Sequence, residues 1–465
     1  MGRIFIKNAT VLTLDAQDSF FYPGYVEIRD DRIWKVGQWS DDTDLNEDDG
    51  EALVIDGRDK LIMPGMVDLH FHTSIAKVRH FLAYHKSNAD LYQGFNDDLP
   101  LWEYLDEVWY PAVRAVTPET AKIAALYSYI QAVKSGTTAV NDMYRHLPSL
   151  AAAAEQIGLR AVLSNDVALP EHRLDTVKDN VAAFEQVHGA ADGRVKVWMG
   201  IEWLPLADMD LLKQVAQAKR ELKTGLHLHL CESRSEIADC AKRLDGKRPV
   251  QAAYEAGYTV AAHCVHLSDE EIELLAKTGT HVSINSGSNA KLGNGIARLE
   301  DLAAAGVNCG MGVDACECHN SFDMYEEMKI TSYMQRGLHE NPALGRPSQM
   351  LRMATRNGAV ALGIDAGTIE VGRKADLVVL DLKKDMMFTP LLKAPLETRR
   401  KQLESHLVFG CNGTAVETVI VDGRIVVQDR QVLGVDEDGI REQMDSIFEE
   451  IVADMERKKM VRSKQ

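Results

Sequence analysis

The sequence predicts an α/β protein: a (β/α)8 TIM-like barrel with a small β-sandwich domain formed from both termini. Three observations predict it. Short apolar runs near 62–69, 137–141, 160–164, 195–201, 224–230, 258–263, 280–284 and 307–313 alternate with helical patterns such as ETAKIAALYSYIQAVKSG and DLLKQVAQAKRELKTG. Eight strands alternating with helices over about 260 residues is the pattern of a closed parallel barrel. Strand-like pieces flank this middle on both sides, so the two ends can pair into one sheet. Finally, four of the eight runs end in metal-binding or proton-transferring residue types, at the rim where such barrels keep their chemistry. A doubly wound open sheet is the rival, but no Gly-x-Gly-x-x-Gly follows the first strand.

The elements follow in chain order. IFIKNATVLT, YVEIRDDRIWKVG and ALVIDG read as strands, separated by an acidic, solvated loop, DDTDLNEDDGE, at 41–51. ADLVVLDL (375–382) and TVIVDGRIVV (418–427) are their counterparts near the other end. These place the sheet domain at 1–60 plus 366–437 and the barrel at 61–365. Ile440, Met444, Ile447, Phe448, Ile451 and Met455 recur at helical spacing, which predicts an amphipathic helix over 438–465.

Composition narrows the function classes. The chain has 465 residues, 45% hydrophobic and 26% charged, with a formal net charge of −18. That balance disfavours nucleic acid and anionic membrane surfaces. No apolar run approaches the roughly 18–20 residues of a membrane span, and the first residues, MGRIFIKNATVLTLD, lack a signal-peptide core. The seven cysteines are odd in number and scattered, which argues against a disulfide framework. A cytoplasmic enzyme acting on a small molecule is the expectation.

The stretch PGMVDLHFHTS carries the first chemical signal. Alternate residues of a strand share a face, so His70 and His72 stand side by side where an apolar run ends. Alone, the pair could be polar residues satisfied near a core. The fifth strand, GLHLHLCE, adds His227, His229 and Glu232; the sixth, TVAAHCVH, adds His263 and His266; the eighth, VNCGMGVD, ends in Asp314. His229 lies nearer the C-terminal strand end than His227 and is the better ligand. Three imidazoles and a carboxylate suit one divalent metal per subunit, with zinc the default and cobalt, manganese or iron chemically possible. A cysteine site at ACECH (315–319) is the competitor, but it lacks a second Cys pair at zinc-site spacing.

The ordered set PGMVDLHFH, FNDDLPLWEYLDEVWYP, SGTTAVNDMY, HLHLCES, AAHCVHL, SNAKLGNGIA, GMGVDACECHNSFDMYEEM and EVGRKADLVVLD resembles the amidohydrolase superfamily. The match lies in its branch of cytosine, S-adenosylhomocysteine and triazine deaminases and hydrolases. The resemblance implies metal ligation by His70, His72, His229 and Asp314. It also implies proton transfer by Glu232, polarisation of the substrate by His263, and a homo-oligomer, dimer or tetramer. Binuclear relatives use a carboxylated lysine at the end of strand 4; here Lys196 lies near its start, so one metal is expected.

The substrate handles depart from the nucleoside deaminases that the motifs resemble. Those enzymes carry a ribose-binding Glu two residues after the proline of YPAV, where this chain has Val113. IEWLPLAD replaces their His-Ser-Pro-Tyr-like loop, and Ile284, Ser286 and Val313 replace further polar positions. Eight aromatics, among them Trp102, fall between residues 81 and 110, which reads as an apolar lid. Trp102, Val113 and Asn289 are the candidate substrate contacts. These departures point to the molinate hydrolase/phenylurea hydrolase group: a metal-dependent hydrolase cleaving the C–N or thiocarbamate bond of a hydrophobic urea or (thio)carbamate, a role in xenobiotic degradation. The alternatives are a deaminase of a purine, S-adenosylhomocysteine-like, pyrimidine or triazine substrate, and a non-catalytic metal-binding protein on the same fold.

Overall fold

The computed structural model describes residues 2–41, 43, 52–75, 99–384, 388 and 393–462. Most of the acidic loop and residues 76–98, where half of the expected lid aromatics fall, lie outside the described residues.

Strands from both ends form one nine-stranded sheet. Arg3–Leu12, Phe20–Arg29, Arg32–Gln38, Ala52–Asp56 and Lys60–Pro64 come from the first part of the chain; Leu377–Asp381, Val416–Val421, Arg424–Gln428 and Gln431–Val432 come from the last. The halves join where Leu61 pairs with Leu380 and Met63 with Val378, antiparallel. Ile4, Ile6, Val26, Ile28, Ile62, Leu377 and Val379 form the core of this sheet.

The second sheet is parallel and circular in order. Its strands are β1 (Met66–His72), β2 (Thr137–Met143), β3 (Arg160–Ser164), β4 (Val195–Val197 and Met199–Trp203), β5 (Leu226–Leu230), β6 (Val260–His263), β7 (His281–Ile284) and β8 (Cys309–Met311). β8 pairs with β1, and the two free ends of the sheet are the two pieces of β4, interrupted at Trp198. All seven residues of β1 and of β2 are buried, as strands enclosed on both faces must be. The intervening helices are conventionally capped: Ser268 and Glu271 close the start of Asp269–Thr278, and left-handed Gly279 ends it.

Two departures from the sequence expectation bear on the site. The apolar run at 62–69 is not one strand. It breaks at Gly65, where a Cβ would stand 2.2 Å from Thr138 Cγ2; Lys60–Pro64 serves the terminal sheet and Met66–His72 the barrel. The eighth run also divides: after Met311 the chain passes Gly312, whose Cβ would lie 2.6 Å from His70 N. A short piece, Asp314–Ala315, then pairs with β1, opposite Phe71 and His72. Glycine at 312 is what lets the Asp314 segment close on the histidines.

A buried ion cluster fastens barrel to terminal sheet. Arg160 on β3 donates to Asp376 Oδ2 at 2.6 Å, Asp376 Oδ1 at 3.0 Å and Asp422 Oδ1 at 2.6 Å. The helix Glu437–Arg462 buries Ile440, Met444, Ile447, Phe448 and Ile451 and packs on Pro118–Lys134 and Tyr110–Ala115 of its own chain. Among the described residues, no helix is long and apolar enough to cross a membrane.

Candidate active site

Imidazoles and carboxylates from β1, β4, β5, β6 and the Asp314 segment converge at the C-terminal rim. The donor atoms of His70, His72 and His229 lie within 4.8 Å of one another, as do those of His70, His263 and Asp314. His72 Nε2 is 3.1 Å from His229 Nε2. Asp314 Oδ1 is 3.5 Å from His70 Nε2 and 3.4 Å from His72 Nε2. Ligands about 2.0–2.1 Å from a tetrahedral ion stand about 3.3 Å apart, which these spacings match.

The outer nitrogens settle the tautomers. His72 Nδ1–H donates to the Met143 carbonyl at 2.6 Å, and His229 Nδ1–H donates to the Glu202 carbonyl. The two Nε2 atoms then face each other at 3.1 Å, an approach that needs a shared cation, a proton or a metal ion, between them. His70 is held through Nδ1 by His227 Nε2 at 2.9 Å, and its buried Nε2 has no hydrogen-bond partner. The residues therefore fit a divalent metal.

Electrostatics agree. Burial works against protonation of His229, yet Glu202, Glu232 and Asp314 lift it to about 10: the pocket draws positive charge to this point. Burial opposes ionisation of Asp314, but His70, His263 and His72 hold it well below the usual carboxylate range. Glu232 is pushed well up by burial, against the pull of His229. Burial lowers His263 to about 4, so its ring is neutral. Burial pushes Glu202 up, but His229, His72 and Tyr110 together hold it below the usual carboxylate range.

Asn294 Nδ2 donates to Glu232 Oε1 at 2.9 Å. His263 Nδ1 bonds Asn289 Oδ1 at 2.9 Å, turning Nε2 towards Glu232 Oε2 at 3.8 Å and Asp314 Oδ2 at 3.9 Å. Ser288 Oγ donates to Asp314 Oδ2 at 2.5 Å. His263 and Asp314 both adopt left-handed backbone conformations, with φ of 72° and 69°. Such strain in non-glycine residues gathers at functional sites.

A narrow cavity opens on this cluster. Its walls include Leu101, Tyr104, Leu105, Trp109, Trp203, Leu292 and Cys318, with Glu202, Glu232, His263 and Asp314 at the polar end. Of the expected substrate contacts, Trp102 is 40% exposed and leans on Trp203, ring centroids 5.3 Å apart. Val113 is fully buried in the hydrophobic core. Asn289 stands behind His263. The ACECH segment builds no cysteine site: His319 is taken by Glu327 at 3.1 Å. The sequence reading missed Glu202, although an acid at the C-terminal end of a barrel strand is itself a signal.

A parallel barrel whose strand ends deliver a histidine cluster fitted to a metal and a buried acid is the frame of a metal-dependent hydrolase, and its family and relatives make it one acting on carbon–nitrogen bonds other than peptide bonds. The chain belongs to the amidohydrolase family, whose profile matches residues 61–426. The 5'-deoxyadenosine deaminase of Methanosarcina mazei is 34% identical over 460 residues, 97% of this chain and 99% of that protein. The 5-methylthioadenosine/S-adenosylhomocysteine deaminase of Acetivibrio thermocellus is 32% identical over 452 residues, 94% of this chain and 97% of its own. The structure of an adenosine deaminase from Xanthomonas campestris with bound zinc superposes with a TM-score of 0.84. It is 24% identical, covering 97% of this chain and 98% of that one, and it shows the shared fold.

These relatives overturn the urea and thiocarbamate expectation. Proteins about 34% identical over nearly the full chain are named deaminases, and xenobiotic phenylurea or thiocarbamate degradation falls with that expectation. The inference failed because it took changed substrate handles, at Val113, IEWLPLAD, Ile284, Ser286 and Val313, and an aromatic segment for a missing substrate class. Other strand ends can supply a carboxylate. A non-catalytic role is set aside by the same full-length kinship with enzymes.

Proposed function

We propose that the protein is an aminohydrolase that replaces the ring amino group of an adenine nucleoside with oxygen and releases ammonia. The observation that carries this reading is the near full-length similarity to 5'-deoxyadenosine and 5-methylthioadenosine/S-adenosylhomocysteine deaminases. An acid and a neutral imidazole facing one cavity support it.

His70, His72, His229 and Asp314 would hold one divalent ion, zinc by default. Such an ion, when bound, makes water a nucleophile near neutral pH. The remaining work belongs to the chain. Asp314 accepts a proton from the attacking water. His263, its Nδ1–H tied to Asn289, offers an unprotonated Nε2 to the water's O–H. Once protonated, the same nitrogen stabilises negative charge, the role the resemblance assigns it. Glu232, kept protonated by burial, gives its proton to the ring nitrogen as the C–O bond forms. The proton drawn from water then leaves with the amine as ammonia, and the proton of the new C–OH returns to Glu232 as the carbonyl forms, so the balance is water in and ammonia out.

We place the enzyme in the cytoplasm, where its seven free cysteines stay reduced. It is a homo-oligomer, dimer or tetramer, which sedimentation measures. The test of function is ammonia release from 5'-deoxyadenosine, methylthioadenosine and S-adenosylhomocysteine by zinc-loaded protein. A folded, metal-replete enzyme that releases none from any of the three refutes the reading.

A further inference from the structure

Glu202 is the one carboxylate on the described cavity wall that the proposed reaction does not use. It is 4% exposed, at the end of β4. Its backbone carbonyl already takes the His229 Nδ1–H. That bond suffices to orient a ligand histidine, since the Met143 carbonyl alone does so for His72. The carboxylate is thus surplus to that task. Its Oε2 lies 3.2 Å from His229 Nδ1 but makes no hydrogen bond. The Tyr110 hydroxyl, also buried, faces the same group.

A buried carboxylate oxygen left without a donor is costly. Of the neighbouring walls, Leu101, Leu105, Trp109 and Leu292 offer its carboxylate no hydroxyl, and the Tyr110 hydroxyl that faces it can serve only one of its lone pairs. The other acids are committed: Glu232 to Asn294, Asp314 to Ser288 and the histidines. A carboxylate presents two oxygens side by side, which two adjacent hydroxyls satisfy together. The position where a ribose-binding acid was expected holds Val113, sealed in the core.

Building on the deaminase reading, we propose that Glu202 is the substrate-binding carboxylate, accepting hydrogen bonds from the two vicinal hydroxyls of the ribose. The handle comes from the end of β4 rather than from the helix that carries Val113.

The test compares adenosine with 2',3'-dideoxyadenosine on the zinc-loaded full chain, for wild type, Glu202→Gln and Glu202→Asp. Losing a charged hydrogen-bond acceptor should cost about 10- to 100-fold in kcat/KM for adenosine, mainly through KM. The loss on the dideoxy compound should be at least about tenfold smaller. Glu202→Asp keeps the charge but withdraws it by one methylene, and should show the same selective loss. Zinc affinity, measured by chelator competition, should be unchanged. Equal losses on both compounds with weakened zinc overturn the proposal and make Glu202 a positioning residue for His229. If wild type releases ammonia from neither compound, the deaminase reading still stands or falls on its own three substrates, and calorimetry decides the handle by itself. Adenosine binding that exceeds dideoxyadenosine binding in wild type but not in Glu202→Gln upholds it; any other binding result overturns it.

Discussion

Asp142, at the end of β2, holds Thr73, the residue that follows His72 of the histidine cluster, and its ionisation should be readable as stability. It accepts hydrogen bonds from Thr73 N at 2.9 Å, Thr73 Oγ1 at 2.7 Å and Tyr129 Oη at 2.7 Å. Burial outweighs these bonds and pushes the carboxyl from 3.8 up to about 6. A folded-state value above the unfolded one means that the stabilisation is complete below pH 3.8 and is lost as pH rises through about 6. The full shift amounts to about 3 kcal/mol, of which about 1–2 kcal/mol falls between about pH 5 and about pH 7.5. In Asp142→Asn the amide oxygen still accepts from Thr73 N, while the NH2 in place of Oδ2 removes the acceptor from both hydroxyls, of Thr73 and Tyr129, costing about 1–3 kcal/mol at every pH. That constant cancels. The variant should therefore gain about 1–2 kcal/mol on wild type between those two pH values. Urea unfolding followed by circular dichroism at both values measures it. A difference that stays flat, or moves the other way, refutes a buried Asp142 that is charged at neutral pH.

Other outcomes follow from the same geometry. Glu232→Gln keeps the Asn294 contact and should bind zinc normally while kcat falls about 10²- to 10⁴-fold; normal turnover would remove Glu232 as the acid. Arg160→Ala leaves Asp376 and Asp422 buried without their guanidinium and should destabilise by about 3–5 kcal/mol in denaturant melts, whereas a loss under about 1 kcal/mol would show that water or Lys374 compensates. Removing metal with a chelator should lower the melting temperature, and zinc at about 100 times its Kd should restore about 2.7 kcal/mol; a melting curve indifferent to zinc would count against the histidine cluster as its site.

Much of the candidate site was legible because it obeys a two-residue period and sits at strand ends. His70, His72, His229 and Asp314 needed only that rule and the barrel pattern. Glu202 escaped because attention at strand 4 went to a lysine, and a single acid in IEWLP lacks a partner in sequence. The break at Gly65 was invisible for another reason. Residues on both sides are apolar, so hydrophobic pattern cannot show a chain leaving one sheet for another. The left-handed backbones of His263 and Asp314 are likewise set by tertiary closure, since neither residue type favours φ above zero as glycine does. The aromatic segment misled because composition was read as substrate preference. Tyr104 and Trp109 do line the cavity, and flat aromatic walls suit a heterocycle as well as an aryl urea.

The shared terminal sheet sets a schedule for biosynthesis. Leu61, Ile62 and Met63 pair with Leu380, Val379 and Val378, which the ribosome adds roughly 300 residues later, about 15 to 60 s at ordinary elongation rates. Throughout that interval the strand that will anchor the first barrel histidines carries an apolar, unpaired edge. The nascent chain must keep this edge from other strands, so the last hundred residues, remote from the metal cluster in sequence, decide when the cluster acquires a fixed floor.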